Sequence, residues 1–167
     1  MAREAQQPLG LPALVASPAD VGRLIHELEL ISEALLQLGL RPGGTAVKMP
    51  KTSQLMDLTI QLNKLNLLQA EDREALGQYL AAVRKKAPVL HISFSADPSP
   101  AFTEKLMIWL RREIYPHALL TIGLQPGIGA GCIVRTTNKY FDFSLRQDFV
   151  KKRELLLAEL AKAEVQA

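Results

Sequence analysis

Cysteine is almost missing from this 167-residue chain: Cys132 stands alone, so no intramolecular disulfide can form and no thiolate pair can hold a metal. Between Gly131 and Ile133 it reads as a small buried hydrophobe in a strand. Histidine is scarce too, and His26, His91 and His117 have no ligand spacing among them; we expect no metal and no cofactor. No apolar run approaches the ~20 residues that span a bilayer as a helix, so any membrane association is expected through partners, without direct insertion. The first sixteen residues lack the charged-then-apolar plan of a secretory signal and read as a flexible arm over 1–16. Strong charge is also lacking. A net charge of +3 and a charged fraction of 22%, against 48% hydrophobic residues, exclude a disordered chain. Arg84, Lys85 and Lys86 are too few to make a nucleic-acid face, and no nucleic-acid partner is expected.

What is present is helical periodicity first. Ser17-Pro18-Ala19-Asp20 has a capping serine, a proline suited to the first helical position and an acid in the first turn. Val21, Leu24, Leu28, Ile31, Leu35 and Leu38 then repeat at steps of three and four along one seam. This seam has two readings, contact with a partner helix or packing inside a local bundle, and Ile25, Leu30 and Leu36 widen it toward the second. Gly39 is expected to end the helix, with Arg41-Pro42-Gly43-Gly44 a clear break and Thr45 to Lys51 a loop or short extended segment. Thr52 can cap a second helix carrying Leu55, Leu58, Thr59, Leu62 and Leu65. A third is expected from about Ala70 to Lys86, buried through Ala75, Leu76, Tyr79, Leu80 and Val83. Residues 17–87 therefore read as a bundle of about three helices.

The regime changes at Ala87-Pro88. Val89 to Ser95 alternates, with Leu90, Ile92 and Phe94 on one face, as in a half-buried strand. Ser99 and Pro100 open a helix with Phe102, Leu106, Trp109 and Leu110 inward, stopping near Tyr115-Pro116. Leu119 to Leu124 returns as a strand, and such a strand-helix-strand unit is expected to be parallel with a right-handed crossover. Cys132 to Thr136 and Tyr140 to Phe143 are two further strands joined by a hairpin at 137–139, and Leu145, Phe149, Leu156 and Leu160 mark a long last helix. The fold class is α+β, with an α/β domain over 88–167.

The glycine string Gly127-Ile128-Gly129-Ala130-Gly131 superficially suggests a phosphate loop, yet it feeds a strand, whereas phosphate-binding glycine loops open onto a helix N-terminus. Gly129 and Gly131 instead suit a tight turn into a sheet. Asp142 is placed to bond free amides where the last strand passes into the last helix, and Arg135 and Arg146 can pair with Asp142 or with a partner's acids. Ser93, Ser95 and Ser99 have no nucleophile-elbow context, and no catalytic residue is assigned.

Leu120-Thr121-Ile122, Ile128-Gly129-Ala130-Gly131, Ile133-Val134-Arg135 and Asp142-Phe143-Ser144-Leu145-Arg146 together resemble the C-terminal domain of the delta subunit of bacterial rotary F-type ATP synthases, the oligomycin-sensitivity-conferring protein family. Ile92-Ser93-Phe94-Ser95-Ala96 and the helix after it resemble that domain's start, so the likeness covers about residues 88–160. The family's adjacent glycine pair stands here as Gly129-Ala130-Gly131. The family's N-terminal domain is a six-helix bundle, whereas this chain has room for about three substantial helices before Pro88. The resemblance implies a non-catalytic peripheral-stalk (stator) subunit, with alpha subunits of the head and b-type stalk subunits as partners, held at the cytoplasmic side of the membrane. It serves ATP synthesis driven by proton transport. Val21, Leu24, Leu28, Ile31 and Leu35 on the first helix, and Leu145, Phe149, Leu156 and Leu160 on the last, are the candidate partner contacts. Two alternatives are an E-like peripheral-stalk subunit of an archaeal or vacuolar-type ATPase and a small nucleotide-binding module using the Gly127 to Gly131 loop.

Overall fold

The computed structural model describes residues 8–40, 50–146, 150, 152–154 and 157. Within them the chain is α+β: helices α1 (Pro18–Leu40), α2 (Gln54–Asn63), α3 (Ala70–Lys86) and α4 (Pro100–Glu113), and strands β1 (Val89–Phe94), β2 (Leu119–Leu124), β3 (Gly131–Arg135) and β4 (Tyr140–Ser144). Phe149, Leu156 and Leu160 of the expected long C-terminal helix lie outside the described residues, as do the break at 41–44 and most of the loop after it.

Two compact units emerge: Met1–Val89 with Ala101–Leu120, and Leu90–Pro100 with Thr121–Ala167. A single cut at 87/88 is therefore replaced by a division that takes α4 and the start of β2 into the helical unit. Sequence periodicity sees only local order, and α4 follows a strand in the chain.

In the helical unit, α1 begins with a reciprocal cap. The Ser17 hydroxyl oxygen accepts from the Asp20 N–H at 3.2 Å, and Asp20 Oδ2 accepts from the Ser17 N–H at 2.9 Å, which satisfies donors that a helix start leaves open. The helix runs through Gly39 to Leu40, one residue beyond the expected stop. α2 is capped by Ser53 and not by Thr52: the Ser53 oxygen accepts from the Met56 N–H. Glu27 on α1 settles that choice, since its two carboxylate oxygens accept from the Ser53 N–H and hydroxyl at 2.5 and 2.7 Å. α2 stops at Asn63 because Lys64 turns left-handed (φ 51°), which leaves Leu65 outside the helix. The buried carboxylate of Asp72 accepts from the Asn66 N–H at 2.9 Å and closes the α2–α3 turn.

One core joins Leu11, Val15, Val21, Leu24, Leu28, Met56, Leu76, Leu80, Val83 and Leu119. Leu11 and Val15 belong to the stretch expected to be a flexible arm. Residues 10–15 are instead a strap, tied by side chains acting on its main chain. Asn63 brackets Gly10, accepting from its N–H at 2.7 Å and donating to its carbonyl at 3.0 Å. From α4, Arg111 donates to the carbonyls of Leu11, Pro12 and Val15 at 3.0, 2.7 and 2.5 Å, and to Ala118 at 3.3 Å. No apolar period announces such a segment, because its order comes from partners about fifty and one hundred residues away.

The inward face of α4 also differs from expectation. Met107 and Leu110 are buried, while Phe102 and Trp109 are 47% and 49% exposed. Trp109 and Arg111 flank Leu110 at about 100° on either side, and turning Arg111 to the strap turns Trp109 away.

The strands form one mixed sheet in the order β2-β1-β3-β4. Leu119 N–H donates to Pro88 and Gln125 N–H to Phe94; the offset is the same at both ends, so β1 and β2 run parallel. β3 is antiparallel to β1 and to β4. Leu90 and Ile92 are buried on β1 and His91 is exposed, as the alternation requires.

Candidate functional site

Gly129, Gly131, Asp142 and Ser144 lie in the second unit, around the corner where β3 begins and β4 ends. A short 3-10 turn, Pro126–Ile128, leads into it. Gly129 follows with φ 75° and ψ −67°, and the Ala130 N–H donates to the Ile128 carbonyl at 3.0 Å. This is a γ-turn of the positive-φ kind, a strained geometry for side-chain-bearing residues. A Cβ on Gly129 would meet nothing within 4 Å, so the demand there is conformational only.

Gly131 answers two demands. Its φ is 90°, and a Cβ would overlap the carbonyl oxygen of Phe143 and lie 3.1 Å from Ser144 Cα. The cause is the register, which sets Gly131 opposite Ser144 and Cys132 opposite Phe143. The corner is closed by the Leu145 N–H, which donates to the Ala130 carbonyl at 3.0 Å. Gly129 and Gly131 thus meet Asp142 and Ser144, about eleven to fifteen positions away in sequence, around one corner. The glycine run enters strand β3, so no helix N-terminus opens at its end.

Asp142 Oδ1 accepts from the Ser144 N–H at 2.8 Å, an interaction within the end of β4. Hydrogen bonds from the Ser144 hydroxyl and N–H hold the exposed Asp142 carboxyl below the usual carboxylate range, with the Arg146 charge adding to the effect. Arg135 does not pair with Asp142. It sits opposite Tyr140, its guanidinium 5.3 Å from the ring centroid, whereas Asp142 is opposite Ile133. The Cys132 thiol is half-buried, and burial pushes its pKa up, which disfavours the reactive thiolate.

A pH prediction follows from the lowered Asp142 value. A group with a depressed folded pKa contributes fully above its unfolded value and loses that contribution as pH falls through the folded one. The Ser144 amide proton should therefore hold its bonded chemical shift down through the ordinary aspartate range near ~3.9 and move only in more acid solution. An amide titration with its midpoint at or above that ordinary value would refute the bond.

β4 presents an apolar surface around this corner. Phe141 and Phe143 stack with ring centroids 6.1 Å apart and planes 11° from parallel, and they are 42% and 60% exposed, with Leu145 at 45%. By contrast, Val21, Leu24, Leu28 and Ile31 are buried in the chain's own structure and Leu35 is half-buried. The first four are corrected from partner contacts to internal packing, because α1 packs against α3. Phe149, Leu156 and Leu160 lie outside the described residues. Arg146 is exposed.

The helical unit holds a second polar group that the sequence did not single out. The Tyr79 hydroxyl is 3.1 Å from His117 Nδ1, and the His117 ring is edge-on to both Tyr79 and Tyr115. Burial pushes the Tyr79 pKa up to about 12, against the opposing charge of Arg111. Burial likewise lowers that of Arg111, and its donors are spent on carbonyls of the strap. The group locks a chain crossing. The one available signal was an arginine directly after the inward Leu110, which periodicity reads as ordinary surface.

No helix among the described residues is long and apolar enough to cross a membrane. The chain matches no protein-family model and no curated protein.

Proposed function

We propose that this chain is a non-catalytic peripheral-stalk subunit of a rotary F-type ATP synthase, of the delta type. It ties b-type stalk subunits to alpha subunits of the catalytic head and resists torque during proton-driven synthesis, held at the cytoplasmic side of the membrane by its partners. The observation that carries the reading is the β3/β4 corner. Gly131 and Ser144, from the two separate segments on which the resemblance rests, are directly opposed, and the glycine is required there by the Phe143 carbonyl. The residues are thus explained by one backbone construction. A torque-bearing link also needs apolar area for partners, and Phe141, Phe143 and Leu145 offer it in the second unit.

The test is recovery of the tagged full-length chain from native membranes in mild detergent. Alpha and b-type stalk subunits should come with it in stable amounts. Recovery of neither, while head and stalk subunits still recover each other, would sink the proposal. In a parallel thermal-shift measurement, ATP and ADP should leave the midpoint unchanged. A rise that grows with nucleotide concentration, as mass action demands of a true ligand, would favour the nucleotide-binding alternative instead.

A further inference from the structure

We infer that β4 is a guarded sheet edge, at which Asp142 keeps the chain from pairing β4 antiparallel with β4 of a second copy. The inference is independent of the stalk reading and begins with where the main-chain groups of β4 point. Thr136 N–H donates to the Lys139 carbonyl, and Leu145 N–H to the Ala130 carbonyl. In an antiparallel ladder bonded and non-bonded pairs alternate. Lys139, Phe141, Phe143 and Leu145 therefore turn their main-chain groups toward β3, and Tyr140, Asp142 and Ser144 turn theirs to the open side. Among the described residues β4 pairs only with β3, and all its residues but Ser144 are exposed. Such an edge is a template for another strand.

The edge is also self-complementary. With two copies paired about Asp142, Tyr140 of each faces Ser144 of the other across the bonded positions. Phe141 faces Phe143 at the non-bonded positions, where side chains approach most closely. Two stacked phenylalanines per copy would join on one face. The carboxylate opposes this arrangement twice. It occupies the outward Ser144 N–H, which pairing with Tyr140 requires, and it stands directly opposite the carboxylate of the second copy, a like-charge pair that destabilises a sheet. A charge placed on an open edge is a known protection against edge-to-edge association.

The experiment compares the purified full-length chain with Asp142→Asn and Asp142→Val by sedimentation equilibrium at neutral pH, with circular dichroism to establish folding. Asp142→Val should dimerise at least about tenfold more tightly than wild type, a shift of about 1.4 kcal/mol. Asp142→Asn should fall between, because it loses the charge but keeps an acceptor for Ser144. In the dimer the amides at positions 140 and 142 should gain hydrogen-exchange protection with rising concentration. Adding Tyr140→Pro to Asp142→Val should abolish association, since the lost N–H faces the open side; if that variant does not fold, Phe141→Ser in the same background takes its place. A folded Asp142→Val variant that associates no more than wild type would overturn the inference. So would association that survives both blocking substitutions, or a wild-type chain already dimeric through protected Tyr140 and Asp142 amides.

Discussion

Replacing Gly131 with alanine should remove about 3–5 kcal/mol of stability, the largest loss from adding a single methyl group among the described glycines. Two costs combine. A side-chain-bearing residue at φ 90° is strained by about 1–3 kcal/mol. The new Cβ also overlaps the Phe143 carbonyl, main chain fixed by the β3/β4 ladder, and relief by backbone shifts costs about 1–3 kcal/mol more. Gly129→Ala is the control. It keeps only the strain of φ 75°, with open space around the Cβ, and should cost about 1–3 kcal/mol. Urea denaturation of both variants decides the matter: equal losses, or a larger loss at Gly129, would mean that the close approach at the corner is wrong. In the delta-type reading Gly131→Ala should also weaken stalk recovery, as the corner orients Phe143 and Leu145.

Arg111→Met should cost about 2–4 kcal/mol, a large effect for one polar side chain. Its guanidinium donates to four carbonyls, and hydrogen bonds from a charged donor are worth about 1.5–3 kcal/mol each. The total falls well below the sum because bonds that share one guanidinium are not additive. The loss should be local in origin. Amides of residues 10–16 should exchange faster, with Val15 and Ala16 the most informative, since Val15 N–H is bonded within the strap and the Ala16 carbonyl accepts from Leu120 N–H at 2.8 Å. Arg111→Lys should restore less than half, since an ammonium lacks the planar fork that spans several acceptors. The neighbouring Arg112→Met should change stability by less than about 0.5 kcal/mol, its partner Glu113 being on the surface. An Arg111→Met variant as stable as Arg112→Met would show that the strap does not depend on the guanidinium.

Much of the secondary structure was legible because its signals are local. α3 spans Ala70–Lys86 and β2 spans Leu119–Leu124 as the sequence indicates, for helix and strand preferences act over a few residues. The departures have specific causes at a distance. Ser53 displaced Thr52 as cap because Glu27 reaches it from another helix. The stretch around Leu11 read as an arm because Asn63 and Arg111, which tie it down, are remote in the chain. Trp109 read as part of one inner face with Phe102, Leu106 and Leu110, and the orientation of Arg111 turned it outward. At the candidate site the glycines and Asp142-Phe143-Ser144 stood out individually, but their opposition depended on a register that no single segment contains.

The sequence by itself determined the class of the molecule: helices first, then alternating strands, a lone cysteine without a disulfide partner, and a glycine turn that feeds a strand. These follow from dihedral preference, capping and periodicity, which each residue carries with it. Only the tertiary structure decided that the α1 seam is largely internal packing, that α4 belongs to the helical unit, and that Gly131 is required by the carbonyl of Phe143. It also decided that Arg135 sits on Tyr140 and not on Asp142. Burial and register are properties of pairs of segments, so they are set when the chain packs and not before.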